Sequence, residues 1–119
     1  MYRATTRKKI DEELANGDAA RREGLEGRAR VCARRAAGVA VREYLERHGE
    51  ILAGPSAVDV LEQLRVRSDV SPGIRQVAEH LLLRGNEGFD LPVQVDLLEE
   101  ARWLANTLER LLEDQRLSW

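Results

Sequence analysis

Arg75 and His80, with four residues between them in a stretch of helical periodicity, are the one pair in this chain whose types and spacing could signal a reaction. A histidine that titrates near neutrality can take or give a proton during attack of an RNA 2′-hydroxyl. An arginine can stabilise the negative charge that develops on the phosphate, so such chemistry needs no metal. Side chains five positions apart point about 140° from one another around a helix, so the two diverge within one chain and would converge only across a dimer interface. The same spacing is equally satisfied by a solvent-facing Arg75 and a boundary His80.

A second candidate is the stretch Glu23 to Gly49, EGLEGRARVCARRAAGVAVREYLERHG. Ala29, Cys32, Ala33, Ala36, Val39, Ala40 and Tyr44 recur at three- and four-residue steps, a face of small residues that a neighbouring helix can approach closely. Arg28, Arg35 and Arg42 sit seven apart on another face. The net charge of −2 hides an asymmetry, for residues 21–47 carry eight arginines against four glutamates, while residues 87–119 carry eight acids against three arginines. The arginines therefore form either a phosphate-contacting face or a basic helix that packs beside, or dimerises against, an acidic one.

Other residues point to packing. Cys32 is the only cysteine and falls on the small-residue face, so a buried thiol is expected rather than a reactive one. His48 precedes Gly49, where a positive charge would meet a helix C-terminus, and Trp103 falls near an apolar stripe as core or interface. Two histidines and one cysteine give no metal-binding cluster, and the adjacent acids Glu99-Glu100 and Glu113-Asp114 diverge by about 100° on a helix, which makes them solvated faces. Gly85-Asn86-Glu87-Gly88 lacks the lysine and strand context of a phosphate loop. No metal and no cofactor are expected.

The elements that must position these residues are all helical. A first helix starts near Thr5 and runs through Ile10 and Leu14, and Asn16-Gly17 either breaks it before Asp18 or is passed through. Gly24 and Gly27 bracket a weak point, and the arginine-rich helix then runs to about His48 with Gly49 as its cap. Gly38 inside that helix costs about 1 kcal/mol relative to Ala, which a close helix crossing would explain. Ser56 and Asp59 form a capping box for a short helix to Val66, with Val58, Leu61 and Leu64 facing inward. Ser71 and Pro72 open the next helix, whose stripe is Ile74, Val77, Ala78 and Leu81. Phe89, Leu91 and Pro92 cross an apolar loop, and Asp96 with Glu99 caps a long final helix through Leu97, Ala101, Leu104, Leu108 and Leu111. The terminal Leu117-Ser118-Trp119 is expected to fray.

At 119 residues, with periodic segments and almost no strand signal, the chain is expected to form a single all-α domain over residues 1–119, an antiparallel four-helix bundle with an additional short helix. No run reaches the roughly 20 apolar residues of a membrane span and the N-terminus lacks the apolar core of a secretory signal, so a soluble, cytoplasmic protein is expected.

This arrangement resembles the HEPN domain, a prokaryotic helical-bundle family found beside nucleotidyltransferases. Ile10 to Leu14 resembles its first helix, ARVCARRAAGVAVREYLERHG its alanine-rich second helix, and Ser56 to Leu64 its short middle helix. AEHLLLRGNEGFDLP and DLLEEARWLANTLERLL are similar to its last two elements. The resemblance implies a dimer that binds a nucleotide, RNA or a nucleotidyltransferase-type protein. Some members are metal-independent ribonuclease toxins of toxin–antitoxin pairs that act through an Arg-to-His motif, which only Arg75 and His80 could carry here. Gln76 stands where those toxins often place Asn, Asp or His, and Leu82 where they commonly place a tyrosine. That departure implies a non-enzymatic member that dimerises and binds a partner protein or nucleotide, with Arg28, Arg35 and Arg42 as the phosphate-binding residues. The ribonuclease is the alternative, and a purely structural bundle is the third reading.

Overall fold

The computed structural model describes residues 1–83 and 95–117, the last two by their backbone alone. These residues form five helices and no strand: α1 (Ala4–Arg22), α2 (Glu26–Arg47), α3 (Ala57–Arg65), α4 (Pro72–Leu82) and α5 (Leu97–Leu117). The glycine-rich Gly85–Gly88, the apolar loop at Phe89, Leu91 and Pro92, and the terminal Ser118-Trp119 lie outside the described residues.

Helix α2 is the centre of the molecule and packs against all four others. The expected small-residue face is buried through Ala29, Cys32, Ala33, Ala36, Ala40 and Tyr44, and the burial extends around the helix to Ala37, Val41 and Leu45. Partners on several sides leave only a narrow outward strip. Gly38 lies at the predicted crossing, where a Cβ would fall 2.7 Å from the Cβ of Ala57 at the start of α3.

Asn16-Gly17 does not break the first helix, which runs on to Arg22. Gly17 serves packing instead: a Cβ there would lie 2.5 Å from Leu98 Cδ2 and 3.2 Å from Cys32 Cβ, so the missing side chain lets α1 seat against α2 and α5. The helix ends one turn later. Gly24 (φ 78°) and Gly49 (φ 75°) adopt the left-handed conformation that terminates α1 and α2. In each case the next residue donates back to the carbonyl five positions earlier, Leu25 to Ala20 at 2.8 Å and Glu50 to Leu45 at 3.0 Å.

Capping chemistry sets the other starts. Ser56 Oγ accepts from the Asp59 N–H at 3.1 Å while Asp59 Oδ2 accepts from the Ser56 N–H at 3.3 Å, the expected reciprocal box. Ser71 Oγ accepts from the Ile74 N–H ahead of Pro72, and Asp96 Oδ1 accepts from the Glu99 N–H. The box fixes the phase of α3, so that Val60, Leu61 and Leu64 turn inward with Ala57. Val58, expected inside, lies about 100° from Ala57 and is exposed. Ile74, Val77, Ala78 and Leu81 of α4 and Leu97, Ala101, Leu104 and Leu108 of α5 complete the core, with Leu111 half-buried at its edge.

Helix α1 has no cap of its own, for Arg3 supplies no side-chain acceptor and the first turn holds no acid. Glu43 of α2, only 1% exposed, takes that role by accepting from the Arg3 N–H at 3.1 Å through both carboxylate oxygens.

Candidate functional site

Arg75 and His80 leave α4 toward different neighbours. The Arg75 guanidinium donates to the carbonyls of Arg65 (Nε, 3.2 Å) and Arg67 (Nη2, 2.9 Å), capping the C-terminal end of α3 with a cation. His80 Nδ1 lies 2.9 Å from both carboxylate oxygens of Glu100 on α5. Within one chain the two are thus bound to separate elements, as their angular spacing implies. The His80–Glu100 pair was not foreseen, because Glu99-Glu100 read as a solvated pair; Glu99 does face out, against Arg102 at 2.8 Å, while Glu100 is half-buried. A carboxylate on Nδ1 holds the imidazole in one orientation and leaves Nε2 as the atom able to exchange a proton.

The three heptad-spaced arginines also separate. Arg42 is half-buried, and its Nη2 donates to the carbonyls of Gly54 (3.2 Å) and Pro55 (2.7 Å), fastening the α2–α3 loop. Arg34, not singled out by the heptad spacing, acts likewise at α4, donating to Leu81 O (2.7 Å) and Leu83 O (2.6 Å). Arg28 and Arg35 remain exposed and make no hydrogen bond or ion pair with the described residues. Acids on α5 are answered elsewhere, Glu109 by Arg7 (2.7 Å) and Glu100 by His80. Asp96, just before α5, is held by Arg21 (2.8 Å). Helix α2 thus packs beside α5, as one reading of the charge asymmetry expects, and Arg21 of the basic stretch holds an acid of the other, while Arg28, Arg35 and Arg42 form no ion pair with α5 among the described residues.

Arg28 and Arg35 lie about 10 Å apart along α2, as their seven-residue spacing requires, and line one broad groove of about 990 Å³. Its α1 side presents Glu13, Asn16 and Glu23, the buried Ala20 and Cys32 lie where α1 meets α2, and Arg30, Arg34 and Val31 line it further round α2. Val31 is 41% exposed there. The shared residues Glu13 and Arg35 lead into a smaller groove of about 370 Å³ with Lys9 and Arg42. Glu13 and Arg35 nonetheless form no ion pair, and Glu13 Oε2 is shielded from solvent without a hydrogen-bond partner. The Cys32 thiol is pushed up by burial and by Glu13, against the opposing pull of Arg35 and Arg28, so it stays protonated at neutral pH as a packing group.

His48 donates from Nδ1 to the Tyr44 carbonyl (2.7 Å) with its ring 4.2 Å from the tyrosine ring, which places it at the C-terminus of α2 as expected. Trp103 is 42% exposed on α5, beside the first turn of α4, where its Cη2 would lie 3.6 Å from a Cβ at Gly73. Among the described residues, no group of three His, Cys, Asp or Glu side chains is placed to hold a metal ion, and no helix is long and apolar enough to cross a membrane.

The most strongly held charge escaped the sequence reading. Glu43 gathers the Arg3 N–H, Arg3 Nε (3.2 Å), Arg47 Nη2 (2.8 Å) and the Thr6 hydroxyl around one buried carboxylate. Its signal was available, since it continues the seven-residue series of the buried Ala29 and Ala36, where an acid must find partners. No protein-family model, no curated protein and no solved structure matches the chain.

Proposed function

We propose that this protein is a non-enzymatic, HEPN-like binding module: an antiparallel four-helix bundle with α3 as the extra short helix, cytoplasmic, that pairs with a second copy and takes an anionic partner on the outward strip of α2. The partner is a protein of the nucleotidyltransferase type or a nucleotide. The observation that carries this reading is the exposure of Arg28 and Arg35 in one groove, with no carboxylate among the described residues forming an ion pair with either. Two like charges on one face, without ion pairs among the described residues, raise the local potential toward anions. Trp103, a large exposed aromatic on α5, supports the self-pairing part of the reading.

Titration of the purified chain with decaglutamate, ATP and a 12-nucleotide single-stranded RNA tests the proposal. At least one should bind, more weakly as salt rises, and Arg28→Gln with Arg35→Gln should abolish the interaction. No binding by any of the three at low salt would refute it.

A metal-independent ribonuclease is the second reading, and the His80–Glu100 pair is what favours it, because a carboxylate-oriented histidine is a competent proton acceptor. Against it stands Arg75, whose guanidinium is committed to two backbone carbonyls of the α3 end.

A further inference from the structure

The outward face of α5 carries Glu99, Trp103, Asn106 and Arg110 at four-, three- and four-residue steps, which keeps them within about 60° of one another around the helix, and all four are exposed. Trp103 is 42% exposed even with its ring beside the first turn of α4 at Gly73. At one end of the row Glu99 is held by its helical neighbour Arg102, with its side chain still 68% exposed. At the other end Arg110 forms no ion pair among the described residues and reaches Thr107 Oγ1 at 3.4 Å. A row of exposed residues on a helix is ordinarily solvated. This one differs in having an exposed tryptophan at its centre, the steps of a coiled-coil seam, and an order of charge, acid first and base last, that is complementary to itself when reversed.

Resting on the self-pairing part of the proposed function, we infer that two copies of this chain pair through this face, their α5 helices antiparallel about a two-fold axis between residues 104 and 105. In that register the layers of the row coincide: Glu99 opposes the partner's Arg110 and Trp103 opposes the partner's Asn106, each pair occurring twice. Arg110 gains a carboxylate, and the indole N–H of Trp103 gains an amide carbonyl as acceptor. Next along, Asp96 would approach the partner's Glu113, but each already has a cation of its own chain, Arg21 for Asp96 and the Met1 amine for Glu113. A parallel arrangement would set Glu99 against the partner's Glu99 and Arg110 against the partner's Arg110, and sliding the antiparallel pair by a heptad parts each acid from its base. The row is about 16 Å long, so the contact belongs to the small, weak class of interface and the dimer dissociates on dilution.

Sedimentation equilibrium of the full chain, from about 5 to about 500 μM, should show a reversible monomer–dimer equilibrium. Arg110→Glu alone and Glu99→Arg alone should each weaken the dimer about 5- to 30-fold, because each sets like charges at both ends of the contact. Mixing the two variants should restore association, since the mixed dimer regains both opposite-charge pairs. Trp103→Gln should weaken it as well, with no change of charge, and keeps the test open should Glu99→Arg disturb the first turn of α5; circular dichroism checks that each variant is folded. A dimer indifferent to Arg110→Glu and Trp103→Gln, or a mixture of folded variants no tighter than its components, would overturn the inference while leaving self-pairing through another face. A chain that stays monomeric across the whole range would remove both the inference and the self-pairing reading, whereas anion binding at Arg28 and Arg35 is read separately by the titrations above.

Discussion

Replacing Glu43 by Gln should cost this protein about 2 kcal/mol, far more than an exposed glutamate would, and the cost should shrink in acid. The Glu43 carboxylate is the N-terminal cap of α1 supplied by another helix, and it is ringed by four donors. Hydrogen bonds to a buried charge are worth about 1.5–3 kcal/mol each when lost, and breaking a fully buried ion pair costs about 3–5 kcal/mol. Here the cationic partners can rehydrate, because the side chains of Arg3 and Arg47 are 56% and 37% exposed. Gln also keeps one acceptor, which lowers the cost to about 2 kcal/mol, or about 6–10 °C in melting temperature for a chain of this size.

The pH dependence provides the sign. Burial pushes the Glu43 carboxyl up, but the Thr6 hydroxyl, the Arg3 N–H and guanidinium and the Arg47 charge together more than offset it, and the group lies below the ordinary glutamate value. A depressed folded-state value means stabilisation that is present above the unfolded value of about 4.3 and lost as pH falls through the folded one. Urea unfolding followed by circular dichroism at pH 7 and pH 3 measures this. The wild type should exceed Glu43→Gln clearly at pH 7, by a margin that narrows at pH 3 as the pH falls below the unfolded value. A difference below about 0.5 kcal/mol at pH 7, or one unchanged at pH 3, would refute the capping argument.

Tyr2 and Tyr44 are the chain's only tyrosines, and burial, reinforced by Glu109 for the first and Asp69 for the second, holds both phenols above the ordinary range; ultraviolet titration should therefore give no phenolate near pH 10 until the fold is lost. Stability conferred by neutral phenols is present below pH 10 and disappears as pH rises through their folded values, so a normal titration in the native state would contradict their burial. Gly38→Ala should destabilise by about 1–3 kcal/mol despite the better helix propensity of alanine, because the new methyl meets Ala57, and a stabilised variant on thermal melting would remove the close crossing. A mixed RNA pool in EDTA should remain intact with wild-type protein and with His80→Ala alike; cleavage lost in the variant would install the ribonuclease reading.

Much of the fold was legible because local signals agreed with one another. Ser56 with Asp59, Ser71 with Pro72, and Asp96 with Glu99 mark helix starts by backbone chemistry that depends on nearby residues alone, and Gly24 and Gly49 mark ends for the same reason. Gly17 left the helix end undecided because a glycine that breaks a helix and one that admits a neighbouring leucine are identical in sequence. Val58 misled through phase, as a nine-residue helix is too short for periodicity to choose between adjacent registers. The candidate site was legible only as a set of arginines. Which of them are committed to carbonyls, as Arg34, Arg42 and Arg75 are, and which make no ion pair with the described residues, as Arg28 and Arg35 do not, depends on where distant helix ends fall. The same holds for Glu43 and Glu100, whose partners lie 40 and 20 residues away.

The central claim is that the outward strip of α2 is the binding surface, and amide chemical-shift mapping tests it most directly. With 15N-labelled chain and either decaglutamate or the 12-nucleotide RNA, the account places the perturbed amides along residues 13–23 and 27–35, and Arg28→Gln/Arg35→Gln should erase them. Perturbations centred instead on Arg75, His80 and Glu100, or shifts that survive the double variant, would contradict it.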